Sequence, residues 1–218
     1  MKNEGRYVPA LGFRWLNRFY DPVVAIAARE RTFKRRLLQQ AGIQNDHQVL
    51  DLACGTGTLA IWVKEEVPGA KVFGVDVDRQ ILALAHRKAQ KRGVEIVIDQ
   101  GLSTELPYES ESFDRVLSSL FFHHLSREDK VRTAREVYRV LKPRGEFHIA
   151  DWGKPQNSVM RTVFWLVQLL DGLENTRDHV QGLLPSRVAE GGFKCVRQQE
   201  EIATAIGTMT LYVAEKPG

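Results

Sequence analysis

Between residues 49 and 150 short β-branched runs alternate with longer amphipathic stretches, and this alternation admits few architectures. Runs at 49–53, 71–75, 95–98, 113–119 and 146–150 read as strands. Stretches at 59–66, 79–91 and 128–141 carry apolar residues at helical spacing. They are closed by Pro68-Gly69, by Gly93 and by Lys142-Pro143-Arg144-Gly145. Strands separated by helices of about 10–15 residues imply βαβ units and a parallel sheet. Strands buried on both faces read as apolar runs, as Val72-Phe73-Gly74-Val75 does. A further helix is expected over 20–40, where Val23, Val24, Ala27, Phe33, Leu37 and Leu38 recur at helical spacing before Gly42.

The alternation breaks after Asp151. Residues 159–173 form a strongly apolar helical stretch with no strand partner. A short helix near 185–190, a strand from 193 and a last strand near 209–213 suggest a terminal antiparallel hairpin. The expected fold class is therefore α/β: a three-layer sandwich around a mostly parallel seven-stranded sheet with a C-terminal antiparallel hairpin. A length of 218 residues suits one domain. Its expected parts are an N-terminal helical lid at 1–45, a core at 46–151, a helical insertion at 152–184, and a C-terminal helix with strands at 185–218.

Composition narrows the function classes. The formal net charge is +4, and part of the excess is Arg29, Arg31, Lys34, Arg35 and Arg36. These read as a solvated helix face. No Lys/Arg run with interleaved aromatics marks a nucleic-acid groove, so no nucleic-acid partner is expected. Cys54 and Cys195 are far apart and show no CxxC spacing, which suits a reducing, cytoplasmic setting. Residues 1–15 lack the continuous apolar run of a signal peptide, and no stretch reaches the length of a membrane span.

The most informative segment is Val49-Leu50-Asp51-Leu52-Ala53-Cys54-Gly55-Thr56-Gly57-Thr58-Leu59-Ala60, a strand entering a glycine turn that opens a helix. Gly55 suits the tight turn, and Gly57 is expected where a ligand approaches the backbone. The helix N-terminus offers free N–H groups and partial positive charge. Gly55, Gly57 and Ala60 also satisfy the GxGxxG/A dinucleotide fingerprint, and Asp76 ends the second strand where an acid can accept ribose hydroxyls. An NAD-dependent oxidoreductase therefore remains an alternative. Asp51 moves the balance. An acid inside the first strand can bond the turn and face a cationic amino group, whereas a pyrophosphate repels it. About forty residues precede that strand, and too few follow for a separate substrate domain.

Asp51-Leu52-Ala53-Cys54-Gly55-Thr56-Gly57 resembles motif I of the class I S-adenosylmethionine-dependent methyltransferases. Phe73-Gly74-Val75-Asp76-Val77-Asp78 resembles their second motif. Residues 100–107 with Ser112-Phe113-Asp114, and Leu141-Lys142-Pro143-Arg144-Gly145-Glu146, resemble the stretches before strands four and five. The match covers roughly 20–151 and is similar to the ubiquinone/menaquinone C-methyltransferase branch. It implies a Rossmann-like fold, S-adenosylmethionine as cofactor and S-adenosylhomocysteine as product. The implied cofactor-binding residues are Tyr20, Asp51, Ala53, Gly55, Gly57, Asp76, Val77, Gly101, Leu102, Ser103 and Ser118. One position departs from the family: an acid often follows the glycine of the third motif, and here Leu102 stands there. A non-catalytic cofactor-binding module is the other alternative.

A sulfonium already activates its methyl group, so transfer asks mainly for alignment and, for some acceptors, a base. His123 and His124 follow strand four and are the candidate catalytic residues; the other reading is that one orients the following helix and the other is a surface or structural residue. No third ligand stands at metal spacing, so no metal is expected. Cys54 fits as a small packing residue. Asp21 with Pro22 also reads as a plain helix cap beside Tyr20. Asp151, Phe122, Phe164 and Trp165 are the candidate substrate residues; a cap on the next segment is the other reading of Asp151. The stretch 159–173 is apolar on more than one side, which suits a roof over an apolar or aromatic small molecule. Complete burial, or a homodimer interface through Trp165, accounts for the same residues.

Overall fold

The computed structural model describes residues 29–154, 182–205 and 207–218. The expectations for Tyr20, for 159–173 with Phe164 and Trp165, and for most of the 152–184 insertion lie outside the described residues. Helix α1 (Glu30–Ala41) buries Phe33, Leu37, Leu38 and Ala41, one stripe at helical spacing, and ends at Gly42 in the left-handed region. Then follow β1 (Gln48–Leu52), α2 (Thr58–Glu66), β2 (Lys71–Asp76), α3 (Arg79–Arg92), β3 (Val97–Gln100) and β4 (Phe113–Ser119). A short 3₁₀ turn (Phe122–His124) precedes α4 (Arg127–Val140) and β5 (Leu141–Trp152). The described chain closes with α5 (Leu184–Glu190), β6 (Val196–Ala203) and β7 (Thr208–Glu215).

The strands form one seven-stranded sheet in the order β3-β2-β1-β4-β5-β7-β6. The first five are parallel, and β7 runs antiparallel between β5 and β6. The expected α/β sandwich with a C-terminal antiparallel hairpin is what the structure shows. From β1 the chain winds outward to β2 and β3, then returns to β4 on the other side of β1. The strand order thus reverses between β1 and β4, and a crevice opens beyond their carboxyl ends.

Strand alternation sorts the core into two layers. Val49, Val72, Leu117 and Ala150 meet Phe33 and Leu37 of α1 and Leu59, Ala60 and Val63 of α2. Leu50, Leu52, Val116, Phe147 and Ile149 meet Val137 and Val140 of α4 and Leu184 and Val188 of α5. Asp51 shares the phase of Val49, which turns its carboxylate toward α1 and α2.

Three boundaries differ from the sequence expectation. Strand β3 starts at Val97, not 95, because pairing begins only at Phe73↔Val97. Strand β6 starts at Val196, not 193; Phe193 is instead buried in the core, its ring 5.2 Å from that of Tyr138. Strand β5 begins at Leu141, where a separate turn was expected. Leu141 pairs with Phe113, then the register jumps to Arg115↔Glu146, so residues 142–145 bulge out of the strand. Arg144 takes φ +64° there.

Candidate functional site

The glycine turn is built by backbone conformation first. Ala53, Gly55 and Gly57 have φ of +56°, +54° and +69°. The left-handed region costs a residue with a Cβ about 1–2 kcal/mol, so Ala53 is strained and the two glycines are suited. A Cβ on Gly57 would stand 3.2 Å from Ala85 Cβ of α3, so Gly57 serves helix packing. A Cβ on Gly55 would meet no protein atom within 4 Å, so Gly55 is the glycine that faces the crevice.

Two carboxylates fix this turn. Gly55 N–H donates to Asp76 Oδ2 at 3.0 Å, and Asp78 N–H donates to Asp76 Oδ1 at 3.0 Å. Asp76 therefore ties the end of β2 to the tip of the turn. Asp51 was expected to hold the turn, but it reaches past it: Ala60 N–H of α2 donates to Asp51 Oδ2 at 3.0 Å. Asp51 is 2% exposed. Burial pushes its pKa up to about 7, against the pull of Lys34 and the Ala60 N–H, with Asp76 adding to the rise. Cys54 fits the packing role: a Cβ on Gly74 would stand 3.0 Å from its Sγ, and burial pushes its thiol well above the ordinary range.

Beyond β3, Gly101 packs where a Cβ would meet Pro107 Cδ at 2.8 Å. Leu102 is 52% exposed, at the crevice-side end of β3, and Val77 is half-buried beyond β2. The Ser103 hydroxyl lies 3.0 Å from Thr133 Oγ1 of α4, so this side chain also braces the loop. Ser118, near the end of β4, is fully buried, and its hydroxyl has no partner among the described residues. Buried hydroxyls are ordinarily satisfied.

The segment after β4 is anchored by Asp151 at the end of β5. The Phe121 and Phe122 N–H groups donate to Asp151 Oδ2 at 3.1 and 2.7 Å. The Trp152 N–H donates to Oδ1 at 2.7 Å, and His123 Nδ1 lies 2.8 Å from Oδ1. Asp151 was expected to face the cleft; it is fully buried and serves instead as this anchor. Phe122, also expected beside a substrate, is fully buried in the core, its ring 5.8 Å from Phe147. Phe121 and exposed His124 are the more accessible residues of the segment, and the His123 and His124 rings stand 3.9 Å apart.

Sequence reasoning passed over three features. Ala53 and Leu120 adopt left-handed backbone. Asp151 acts as an anchor. Lys34 is buried, whereas the basic residues of α1 were read as a solvated face; Arg29, Arg31, Arg35 and Arg36 are exposed as expected. The period of α1 could have found Lys34, which lies next to Phe33 and one position short of a turn before Leu37 and Leu38. Among the described residues no three metal-ligating side chains cluster, and no helix is long and apolar enough to cross a membrane.

Residues 49–145 match a family model described as a methyltransferase domain. A demethylmenaquinone methyltransferase of Thermus thermophilus is 34% identical over 132 residues, 61% of this chain and 59% of that protein. The chain spans about half to three fifths of the curated relatives it matches. Among solved structures, the YcgJ protein of Bacillus subtilis superposes with a TM-score of 0.67 at 20% identity, covering 85% of this chain and 98% of that one. The [4+2]-cyclase SpnF superposes with a TM-score of 0.67 at 18% identity, covering 85% and 81%.

Proposed function

We propose that this chain, whose residues 49–145 match a methyltransferase domain, is a class I methyltransferase that transfers a methyl group from S-adenosylmethionine to a small, apolar or aromatic molecule. One observation carries the cofactor reading. A glycine turn opens toward the crevice at the switch point, and Asp76 holds its tip. Three features fit such a group: the open side of Gly55, a glycine at the N-cap of α2 that leaves only the Ala60 N–H of its first turn capped, by Asp51, and the Ser118 hydroxyl with no partner among the described residues.

In this reading Asp76 takes the ribose hydroxyls. Each of its oxygens accepts one backbone N–H and keeps a second lone pair for a hydroxyl. The backbone of Ala53, Gly55 and Gly57 follows the aminoacyl end, and Asp51 attracts its amino group. Val77, Gly101, Leu102 and Ser103 border the adenine, with Leu102 covering a ring face in place of the acid common in the family. Ser118 lies toward the sulfur. Tyr20 closes over the cofactor from the N-terminal lid at 1–45, and the rest of the basic face of that lid stays in solvent without a nucleic-acid partner.

When bound, the cofactor supplies a sulfonium-activated methyl group, and no metal is needed for its transfer. What remains for the protein is to exclude water and align the acceptor. Asp151 orients His123: a carboxylate at Nδ1 fixes the Nδ1–H form and makes Nε2 the acceptor nitrogen. His123 and His124 are the groups proposed to take a proton where the acceptor carries one. Phe164 and Trp165 of the 152–184 insertion complete the acceptor's apolar surroundings.

The acceptor class rests on the apolar stretch 159–173 and on the quinone-directed name of the Thermus relative. The oxidoreductase alternative finds no support in the relatives described above. A cyclase shares the fold, so the fold alone does not fix methyl transfer. The test is to incubate the chain with S-adenosylmethionine and a panel of unmethylated quinols, phenols and charged small acids, measuring S-adenosylhomocysteine release. Turnover with an aromatic or apolar acceptor is expected. Turnover confined to charged acids would sink the acceptor class, and no turnover with cofactor bound would favour a non-catalytic module.

A further inference from the structure

Lys34 is the exception in the basic helix α1. Its four arginine neighbours are exposed, whereas Lys34 keeps 9% of its surface and shares the buried side of the helix with Phe33, Leu37 and Leu38. Its ammonium rests on the Glu30 carboxylate one turn earlier. It also lies close enough to Asp51 to hold that carboxyl's pKa down.

A second lysine reaches the same place from the other side. Lys88 Nζ of α3 donates to Thr58 Oγ1, the first residue of α2, at 2.5 Å. Burial and the nearby Lys34 hold its ammonium below the ordinary range. Lys88 therefore stands at the positive end of a helix dipole, where cations are unfavourable, with Lys34 near enough to act on its ammonium. The N-cap of that helix is Gly57, which has no side chain to offer; in the first turn Asp51 takes the Ala60 N–H, and Gly55 beside the turn opens onto no protein atom. Glu30 gives Lys34 one carboxylate, and the Lys88 bond is to a neutral hydroxyl. Such a group of charges gains stability from an added anion.

The adjacent acid sets the kind of anion. Asp51 attracts a cation, and Lys34 attracts an anion immediately beside it. That pair of opposite charges complements a free α-amino acid end, which carries both. On the reading that the site takes S-adenosylmethionine, we infer that Lys34, assisted by Lys88, binds the α-carboxylate of the cofactor's aminoacyl end, and that Glu30 holds Lys34 until that carboxylate replaces it.

Calorimetry with two probes tests this. S-adenosylhomocysteine has the amino acid end, and 5′-methylthioadenosine keeps the adenosine and sulfur but lacks it. Lys34→Met should weaken S-adenosylhomocysteine binding by roughly 10- to 100-fold, the scale of a hydrogen bond to a charged group. It should leave methylthioadenosine within about twofold, on the same scale. Lys88→Met should do the same to a smaller extent. Glu30→Gln removes a competitor, so S-adenosylhomocysteine should bind as tightly or more tightly. Unchanged S-adenosylhomocysteine affinity in Lys34→Met would overturn the inference. Equal loss of both probes in that variant, or equal weakening by Lys34→Met and Glu30→Gln, would overturn it too, because either marks a pair that only holds α1 in place. Should the parent chain bind neither probe, the cofactor reading itself fails.

Discussion

Asp51→Asn should make the protein without ligand more stable at pH 8, less so at pH 5, and leave it unchanged below about pH 4. Asp51 is buried within β1, and its pKa is raised from an ordinary carboxylate value of 3.8 to about 7. The folded state therefore holds a proton that the unfolded chain has released at the same pH. Below the unfolded pKa both states are protonated and the group is neutral in effect. As pH rises from about 4 to about 7, each unit costs the folded state about 1.4 kcal/mol, or about 4 kcal/mol across the interval. Above pH 7 that cost stays constant. Asparagine copies the protonated acid in shape and still accepts from the Ala60 N–H. The assay is urea unfolding of parent and variant at pH 5, 6, 7 and 8. Other carboxylates, such as Glu136 and Asp114 with pKa values lowered mainly by Arg139 and Lys142 contacts against burial, titrate in both proteins and cancel in the difference. The variant should gain stability progressively with pH, by about 2–3 kcal/mol between pH 5 and 8. Cofactor affinity should fall in the same variant, since the charge facing the amino group is gone. Equal stability differences at pH 5 and pH 8 would refute a buried, raised carboxyl at this position.

Further outcomes follow from the same contacts. Gly57→Ala should destabilise the fold by about 1–2 kcal/mol or more, because a left-handed φ and Ala85 at 3.2 Å both oppose a Cβ. Gly55→Ala should carry the conformational cost alone and lose cofactor binding out of proportion to stability; thermal melts paired with binding titrations separate the two. Asp76→Ala should weaken cofactor binding by about 1.5–3 kcal/mol in calorimetry, the range for hydrogen bonds to a charged group. Asp151→Leu leaves the N–H groups of Phe121, Phe122 and Trp152 without their acceptor, so urea unfolding should show a loss of at least about 3 kcal/mol at roughly 1 kcal/mol or more each.

The sheet was legible because its inner strands are largely buried on both faces and its helices show one apolar stripe. The runs at Val49 and Val72 and the stripe of Leu82, Ala85 and Ala89 declare their class without tertiary information. The antiparallel end was legible because Val196 and Thr208 begin strands with only a short turn between their runs. Contacts between distant residues were not legible. Nothing local to Asp151 says that it collects two N–H groups and a histidine from the loop after β4. Nothing local to Gly57 says that Ala85 crowds it. The bulge at 142–145 was read as a turn because Pro143 and Gly145 interrupt the pattern, while pairing of Leu141 with Phe113 depends on the neighbouring strand. Lys34 was hidden by its company, four arginines that do face solvent.

The central claim is that the crevice at the glycine turn takes an adenosyl amino acid cofactor and not a dinucleotide. Titration calorimetry of the full chain with S-adenosylhomocysteine, and separately with NADH, tests it most directly. The account predicts one saturable site for S-adenosylhomocysteine, weakened in Asp76→Ala, and no saturable heat with NADH. Saturable NADH binding that Asp76→Ala abolishes, with none for S-adenosylhomocysteine, would contradict it.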